Sequence, residues 1–538
     1  MYSFSRKTIF LLFAILLYCY ACTDQKVSDS LPRSSPEKQG VSSKDILHFI
    51  EKVNQSGLEW HSVMILRHGK VITEGWWYPY QSNFKHTMYS ASKTFTSTAI
   101  GFAVSEGLLT VDDQVISFFP ELLPDSISDH LAALRVKDLL SMQVVQQPEP
   151  TFTLVKELEW VKSFFNIPIV QKPGTSFQYN SIATYMLSAI IQKVTGQTML
   201  DYLKLKLFQP LGIQDVDWEV DPVGINTGGW GLRITTEAMA KTGQLYLQKG
   251  LWKGRQLLPE QWISEATAFH VDLRPDLSEE NKNKATWVVG YGYQIWRYRS
   301  NIYWALGAYS QFIAVIPDLD VVVAITAEAS EQEKVFTLVW DHLIPFMRSK
   351  GSLPADKEQE KALQKALTSL VLPVEKGVIS PMEKQLTTTA TIEFAENESS
   401  TKPFIERIVD NHPLGYNSQI RKIAIGFKNE VCALHLTINS NVYSFELGKE
   451  KWHTVETHKP GPYLLPSDAS RYTALSTFKV SGSYCWKDAQ TLSITLRYID
   501  SLHTEKLTLR FDGDQVVVTV TNSTSTDKKM DLKGKIKK

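Results

Sequence analysis

The chain has 538 residues, more than a single hydrophobic core organises, so two or more domains are expected. Hydrophobic residues make up 43% and charged residues 21%, a balance that excludes a largely disordered chain. The 57 Lys and Arg residues equal the 57 Asp and Glu residues, so no net charge draws the chain to nucleic acid or an anionic surface. A small, neutral molecule is the favoured partner.

The first 22 residues differ in composition from the rest. Two basic residues precede an apolar run at 9–20, which is the order of a signal peptide and is too short for a transmembrane helix. Cys22 follows Ala21 directly, as in a bacterial lipoprotein signal. We therefore predict that residues 1–22 are a signal peptide and that the protein is exported. It would be periplasmic, or held at the membrane by a lipid on Cys22; ordinary cleavage near Ala21 is the alternative.

Helix and strand patterns then follow one another through residues 35–350. In chain order the patterns first predict a helix after Ser42 and then strands at 62–66 and 71–77, joined by a hairpin at 68–70. Helices are predicted between 93 and 248, including one at 154–165. Strands between 290 and 326, including one at 290–297, and a helix at 333–348 complete this part. Strands that bracket a helical insertion predict an α/β domain with an antiparallel sheet, flanking helices and a helical subdomain. The active site is expected between sheet and subdomain.

The last third of the chain has a different pattern. Residues 351–384 are charged and contain several prolines, with one amphipathic stretch at 357–370, which predicts a linker containing a helix. From 385 to 538 the alternation is that of strands, and Asp512-Gly513-Asp514 predicts a hairpin turn. An all-β sandwich or barrel is expected there. It would shield the mouth of the active site, or bind a glycan or a partner protein.

Metal, cofactor and cysteine chemistry find little support in the sequence. The chain has no His-Glu-x-x-His zinc motif, no Walker A loop and no Gly-x-Ser-x-Gly elbow, so neither a metal nor a cofactor is expected. His86 is the one histidine close to the serine proposed below, and a surface or capping role is favoured over that of a triad base. Cys432 and Cys485 either pair in an oxidising compartment or stay as buried thiols.

A serine followed three residues later by a lysine stands at the start of an apolar helix, at Ser90 and Lys93. This spacing puts both side chains on one helix face, where the lysine can take the hydroxyl proton. The helix N-terminus disfavours an ammonium there and so helps to keep the lysine neutral. Other pairs share the spacing but lie in loop or strand contexts, among them Ser35/Lys38, Ser399/Lys402, Ser476/Lys479 and Ser525/Lys528.

With its surroundings, Met88-Tyr89-Ser90-Ala91-Ser92-Lys93, this segment resembles the serine β-lactamase and penicillin-recognising family, and most of all its class C, esterase and 6-aminohexanoate-dimer hydrolase branch. The resemblance implies that Ser90 is the acylated nucleophile and Lys93 its partner. Tyr179, just after the turn at Pro173-Gly174, matches the family's proton-shuttling tyrosine. Ser181 stands where the family usually has a substrate-orienting Asn, and a hydroxyl can still donate one hydrogen bond.

A third family element is a Lys-Thr-Gly or His-x-Gly strand, matched by Ala305-Leu306-Gly307-Ala308. The resemblance implies that the N–H groups of Ser90 and Ala308 bind the oxyanion. Ala305 replaces the basic residue that pairs with the carboxylate of penicillins, which argues against high activity on such substrates. The likeness extends over residues 35–348 and includes Trp230, an aromatic candidate for an apolar acyl pocket.

Together these features predict a serine hydrolase that cleaves an ester or amide bond through an acyl-enzyme on Ser90, with Lys93 and Tyr179 as acid and base groups. Ser181, Gly307, Ala308 and Trp230 are the candidate substrate-binding residues. The alternative is a catalytically impaired penicillin-binding-like protein that binds or senses cell-wall fragments. The expected partner is a small ester or amide, with no nucleic acid.

Overall fold

The computed structural model describes residues 29–537 apart from 286, 300, 350, 387–388, 395–419, 465–476 and 525–528. The predicted signal peptide, with its Cys22, lies outside the described residues. In the part of the chain that is described, none of the helices has both the length and the apolar character that crossing a membrane requires.

The helices and strands of the described residues are numbered in chain order. The helices are α1 (Ser43–Gln55), α2 (Ser92–Ser105), α3 (Asp129–Ala133), α4 (Val136–Leu140), α5 (Thr151–Leu154), α6 (Trp160–Asn166), α7 (Ser181–Thr195), α8 (Met199–Leu203), α9 (Thr236–Leu247), α10 (Glu260–Ala266), α11 (Glu279–Lys282), α12 (Gln332–His342), α13 (Lys357–Thr368) and α14 (Pro381–Gln385). The strands are β1 (Trp60–Arg67), β2 (Lys70–Trp76), β3 (His86–Thr87), β4 (Asp217–Trp218), β5 (Leu232–Ile234), β6 (Leu251–Trp252), β7 (Arg255–Gln256), β8 (Val271–Asp272), β9 (Gly290–Tyr291), β10 (Trp296–Arg297), β11 (Tyr303–Gly307), β12 (Gln311–Ile316), β13 (Val321–Ala327), β14 (Ala390–Phe394), β15 (Ile420–Lys428), β16 (Val431–Ile438), β17 (Asn441–Lys449), β18 (His453–Thr457), β19 (Phe478–Trp486), β20 (Thr491–Tyr498), β21 (Thr504–Asp512), β22 (Gln515–Asn522) and β23 (Met530–Lys537).

An antiparallel sheet forms the centre of the first domain. Among the described residues its strand order is β2-β1-β13-β12-β11-β10-β9-β8. Strand β1 is buried along its whole length because its side chains alternate between two hydrophobic cores. Val63 and Ile65 belong to the first core, and Met64 and Leu66 belong to the second. Helices α1 and α12 contribute to the first core, whereas α2 and α9 contribute to the second. The predicted antiparallel sheet flanked by helices is confirmed.

Helix α2 lies between this sheet and the helical subdomain. Residues 92–103 of the helix are all buried, and α2 packs against α7 of the subdomain. A helix that is apolar or buried all round fits between two layers rather than on a surface. The N-terminal end of α2, with Lys93 in its first turn and Ser90 just before it, therefore lies at the boundary between sheet and subdomain.

Two predicted elements are divided in the structure. The helix predicted at 154–165 is two short helices, α5 and α6, and the strand predicted at 290–297 is two short strands, β9 and β10. Between these strands Gln294 adopts a positive φ of 62°. Its side-chain amide donates to the carbonyl oxygens of Leu139 and Leu140 at 2.9 and 3.0 Å. This tertiary contact to α4 interrupts the strand, and local periodicity does not reveal it.

The second domain is a β-barrel. Strands β14 to β17 and β19 to β23 close into a ring of nine, because β14 pairs with β23 and β17 pairs in parallel with β19. Closure leaves no open sheet edge in this ring. Gly513, with φ 61°, forms the predicted hairpin turn between β21 and β22. Cys432 and Cys485 are both buried and free.

The barrel packs directly on the first domain. Its Tyr463 and Leu502 join the core that contains α2, and its Trp452 and Ile499 join the core that contains α1. The Trp452 indole N–H donates to the carbonyl oxygen of Leu372 at 2.9 Å. The helix of the predicted linker, α13, packs on α1. The two domains therefore share hydrophobic cores.

Candidate active site

The chain enters the site through a strained turn just before α2. The N–H of Met88 donates to the carbonyl oxygen of Leu232 at 2.9 Å, which fixes the end of β3. Tyr89 then has φ 44°, a conformation that costs energy for a bulky residue. Residues Tyr89–Ala91 form one 3-10 turn before the helix begins. This geometry leaves Ser90 partly exposed at the boundary between the two layers.

Lys93 lies one turn along the helix and is almost fully buried. Its Nζ is 3.0 Å from Ser90 Oγ, 3.1 Å from Ser181 Oγ and 2.7 Å from the carbonyl oxygen of Gly229. Burial lowers the pKa of the Lys93 amine to about 7, against a small opposing effect of Glu149. An amine with a pKa of about 7 is neutral in a substantial fraction of molecules near pH 7, and the neutral form can accept the proton of the Ser90 hydroxyl.

Tyr179 lies on the other side of this pair. Its hydroxyl hydrogen-bonds Ser90, and its ring centre is 4.8 Å from Lys93 Nζ. Burial raises the pKa of Tyr179 to about 12, so the phenol is protonated at neutral pH. The ring stacks on Trp296 with 5.4 Å between centres, inside an aromatic cluster that includes Phe177. Tyr179 can therefore act as a proton donor held in one orientation.

The two residues after Tyr179 have separate tasks. Asn180 caps helix α7, since its Oδ1 accepts the N–H groups of Ile182 and Ala183 at 3.0 Å each. Its Nδ2 donates to Gln146 Oε1, so both ends of the amide are engaged within the fold. The Ser181 hydroxyl is the group that contacts Lys93.

Gly307 ends strand β11 against the nucleophile turn. A Cβ at this position would lie 2.1 Å from the carbonyl oxygen of Met88 and 3.1 Å from the N of Ala91, so only glycine allows this approach. Gly307 therefore lies directly against the turn that contains Ser90, and Ala308 is the next residue in the chain. Gln311, which sequence reasoning missed, fixes the turn by donating to the carbonyl oxygens of Ala308 and Tyr309 at 3.0 and 3.1 Å.

Ala305 and Trp230 lie in the core. Ala305 is buried beside apolar and aromatic residues, and no cation replaces the basic group at that position. Trp230 is 2% exposed, and its ring lies 5.8 Å from that of Trp160. It borders the site through its neighbour Gly229, whose carbonyl oxygen accepts from Lys93. The aromatic ring that stacks on the site tyrosine is Trp296, which the sequence did not single out.

His86 belongs to a buried cluster behind the site. Its Nε2 is 2.8 Å from His61 Nδ1, and its Nδ1 is 2.9 Å from the carbonyl oxygen of Thr87. Burial lowers the pKa of both imidazoles. Since both ring nitrogens of His86 are engaged in this way, and the ring is 3% exposed, the expected surface role is wrong.

One group among the described residues has the spacing of metal ligands, namely Glu59, His61 and Glu328, with ligand atoms within 4.8 Å of one another. Arg497 fills this place, because its guanidinium binds both carboxylate oxygens of Glu59 and lies 3.6 Å from Glu328 Oε2. A side-chain cation that already neutralises the carboxylates leaves no vacancy for a metal ion.

The Beta-lactamase family model matches residues 49–343 of this chain. A 6-aminohexanoate-dimer hydrolase of Paenarthrobacter ureafaciens is 23% identical over 221 residues, which are 38% of this chain and 56% of that protein. Protein flp of Staphylococcus aureus strain N315 is 24% identical over 284 residues, 47% of this chain and 55% of the relative. The chain thus spans about half the length of these curated relatives.

Solved structures with a similar fold include two penicillin-binding protein homologues. The octameric homologue from Pyrococcus abyssi is 14% identical, and the similarity covers 92% of this chain and 99% of that chain with a TM-score of 0.44. The homologue from Caulobacter crescentus is 15% identical, with 58% of this chain and 100% of that chain covered and a TM-score of 0.45.

Proposed function

The chain belongs to the β-lactamase family of serine hydrolases, and we propose that it cleaves an ester or amide bond through an acyl-enzyme on Ser90. The observation that carries the proposal is the buried amine of Lys93, 3.0 Å from Ser90 Oγ and with its pKa lowered to about 7. Burying an amine this way lowers stability, so it fits a catalytic base better than a structural residue.

In the acylation step neutral Lys93 accepts the proton of the Ser90 hydroxyl while Oγ forms a bond to the substrate carbonyl carbon. The carbonyl oxygen becomes an oxyanion, which the N–H groups of Ser90 and Ala308 stabilise. When the carbonyl re-forms, the bond to the leaving group breaks and Tyr179 gives that group its proton. The Lys93 ammonium, close to the Tyr179 ring, then returns a proton to the phenolate.

In the deacylation step a water molecule attacks the carbonyl carbon of the acyl-enzyme. Lys93, neutral again, accepts the proton of the water, and the oxyanion forms against the same two N–H groups. Collapse breaks the bond to Ser90 Oγ, which recovers a proton from Lys93. The free acid leaves, and no group outside the chain is consumed except water.

The proposed substrate class depends on Ala305, which stands where the family has a basic residue that binds a substrate carboxylate. Ala305 is buried in apolar surroundings, so this position offers no charge to a substrate carboxylate. Asn180 is engaged as a helix cap, so its amide does not orient substrate either. We therefore propose neutral esters or amides over penicillins and other carboxylates. A binding protein without turnover is disfavoured, because such a protein needs neither a neutral lysine nor a protonated tyrosine at the serine.

The test is labelling of the intact protein with a fluorophosphonate probe, followed by mass spectrometry of the modified peptide. Modification is expected at Ser90 and is expected to disappear in Ser90→Ala. Ser97→Ala is the matched control, because it removes a buried hydroxyl of the same helix that has no hydrogen-bond partner. Labelling elsewhere, or no labelling of the wild type, would contradict the proposal.

The same preparation decides the substrate class. Turnover of p-nitrophenyl esters and of D-amino acid amides is compared with turnover of nitrocefin, a β-lactam that carries a carboxylate. The expected order places the esters or amides, which lack a carboxylate, first. Export through residues 1–22 is also proposed, and fractionation of cells that produce the full chain would test it, with Cys22→Ser to separate a lipid anchor from simple cleavage.

A further inference from the structure

A histidine of the barrel touches the residue that precedes the nucleophile. His503 lies just before β21 and is fully buried. Its Nε2 is 2.6 Å from the hydroxyl of Tyr89, and its Nδ1 is 2.7 Å from Glu328 Oε1. A carboxylate only accepts, so Nδ1 of His503 carries the hydrogen that is donated to Glu328. In the neutral imidazole Nε2 then accepts from the Tyr89 hydroxyl.

The same imidazole contacts the neighbours of both proposed oxyanion donors. Tyr89 precedes Ser90, and Tyr309 follows Ala308. The ring of Tyr309 meets the imidazole edge to face, with 4.7 Å between centres. Both tyrosines have positive φ, 44° for Tyr89 and 57° for Tyr309. Such conformations persist only where surrounding contacts hold them.

The segment around Glu328 holds the second of these turns. Ser310 Oγ donates to the carbonyl oxygen of Ala329 at 2.8 Å, and the N–H of Ala329 donates to the carbonyl oxygen of Tyr309 at 3.2 Å. Since Glu328 directly precedes Ala329, the acceptor of His503 and the support of the oxyanion turn belong to one stretch of chain.

Other barrel residues support the same side of the site. Arg497 binds Glu59 with two hydrogen bonds, and the ring centre of Tyr463 is 5.1 Å from that of Tyr89. The Tyr463 hydroxyl is 3.4 Å from Thr87 Oγ1, a long contact near the limit for a hydrogen bond. The hydrogen bond of His503 to Tyr89, at 2.6 Å, is thus a short polar contact between the barrel and the nucleophile turn.

We propose that His503 is a positioning residue of the active site, and that the barrel thereby completes the hydrolase domain. It holds Tyr89 and Tyr309 so that the N–H groups of Ser90 and Ala308 converge on one oxyanion position. The inference rests on the proposed function. It assigns the second domain a task in the reaction that differs from shielding the mouth or binding a partner.

The test uses variants of the full chain and follows the rate constant for fluorophosphonate labelling of Ser90, together with kcat and KM for an ester substrate. Tyr89→Phe keeps the ring and removes only the hydroxyl. Both rates are expected to fall by about tenfold, the loss of one buried hydrogen bond, with KM within about twofold. The same two rates should fall at least as far in His503→Ala. In His503→Gln they should stay close to the wild-type values, because the glutamine amide can accept from Tyr89 and donate to Glu328.

Tyr463→Phe is the matched control, because it removes a tyrosine hydroxyl of the same interface without touching His503. Near wild-type rates are expected for it. Wild-type labelling rates in Tyr89→Phe, or an equal fall in Tyr463→Phe, would overturn the inference. Thermal unfolding of each variant shows whether it is folded. If the His503 variants do not fold, the rates of Tyr89→Phe alone test the inference. Absence of label on the wild type would instead remove the proposed function itself.

Discussion

At the scale of single residues, the environment of Lys93 matters more than its spacing from Ser90. Other serine and lysine pairs share that spacing, but among the described residues the pair at Ser90 combines burial of the amine with a hydroxyl at 3.0 Å. Two further partners, Ser181 and the carbonyl oxygen of Gly229, hold the amine in place. The result is a base whose pKa matches the pH at which it has to work.

This environment predicts the pH dependence of the reaction. Only the neutral amine has a lone pair for the proton of Ser90, so kcat/KM for an ester should rise with pH through about 7 and reach a plateau above. Tyr179, with a pKa of about 12, stays protonated across this range, so it causes no fall in rate on the alkaline side. Stopped assays between pH 5 and 9 measure the profile.

Lys93→Arg is the companion variant, because a guanidinium keeps its proton throughout this range. A loss of about 10²- to 10⁴-fold in kcat/KM is expected, as for other general bases. A profile that is flat or falls between pH 6 and 8 in the wild type would contradict the role of Lys93.

At the scale of elements, the start of helix α7 differs from the motif that the family has after its tyrosine. In this chain the amide at position 180 caps the helix, and the hydroxyl of Ser181 faces the lysine. The apolar helix predicted to start at the Ser90 motif is α2, found at Ser92–Ser105, and Gly107, with a positive φ, lies just beyond its end. The position of the Asn180 amide depends instead on Gln146, which is distant in sequence.

The cap gives a prediction about stability. Asn180→Ala removes the acceptor of two helix N–H groups, so the free energy of unfolding should fall by about 1–2 kcal/mol. Asn180→Ser keeps a capping oxygen and should lose less. Urea denaturation of both variants measures the difference. KM for an ester should stay within about twofold in Asn180→Ser if the amide does not bind substrate; a marked rise in KM would assign it that role after all.

At the scale of the whole molecule, buried charges connect the two domains. Burial alone would raise the pKa of Glu59, but Arg497 and His61 outweigh it and lower that pKa to about 2. The folded state therefore binds fewer protons than the unfolded state between pH 4.5 and 2. The stabilisation from Glu59 is complete above pH 4.5 and is lost as the pH falls towards 2.

Arg497→Met tests this connection. It leaves the carboxylates of Glu59 and Glu328 near one another without their cation, so the free energy of unfolding at pH 7 should fall by about 3–5 kcal/mol. The difference in the free energy of unfolding between wild type and Arg497→Met should decrease at lower pH, where the carboxyl groups take up protons. Arg510→Met, an exposed change in the same barrel, is the control and should have little effect. An equal Tm for wild type and Arg497→Met would contradict the interdomain role of the pair.

The sequence by itself determined the features that depend on local pattern. Apolar periodicity marked α2 and the change to strands from about residue 385, the turn residues at 512–514 marked the hairpin, and the motif at Ser90 indicated the family. The choice between sandwich and barrel was left open, because the pairings of β14 with β23 and of β17 with β19 join strands far apart in the chain.

Only the tertiary structure decided which distant residues meet. Gly229, Trp296 and Gln311 have no local feature that marks them, yet they contact the lysine, the tyrosine and the oxyanion turn. The same holds for His503, which is more than 400 positions from Tyr89. The contact of His503 with Tyr89 forms when the barrel packs on the first domain. Apolar periodicity carries no information about which residues meet at such a separation in the chain.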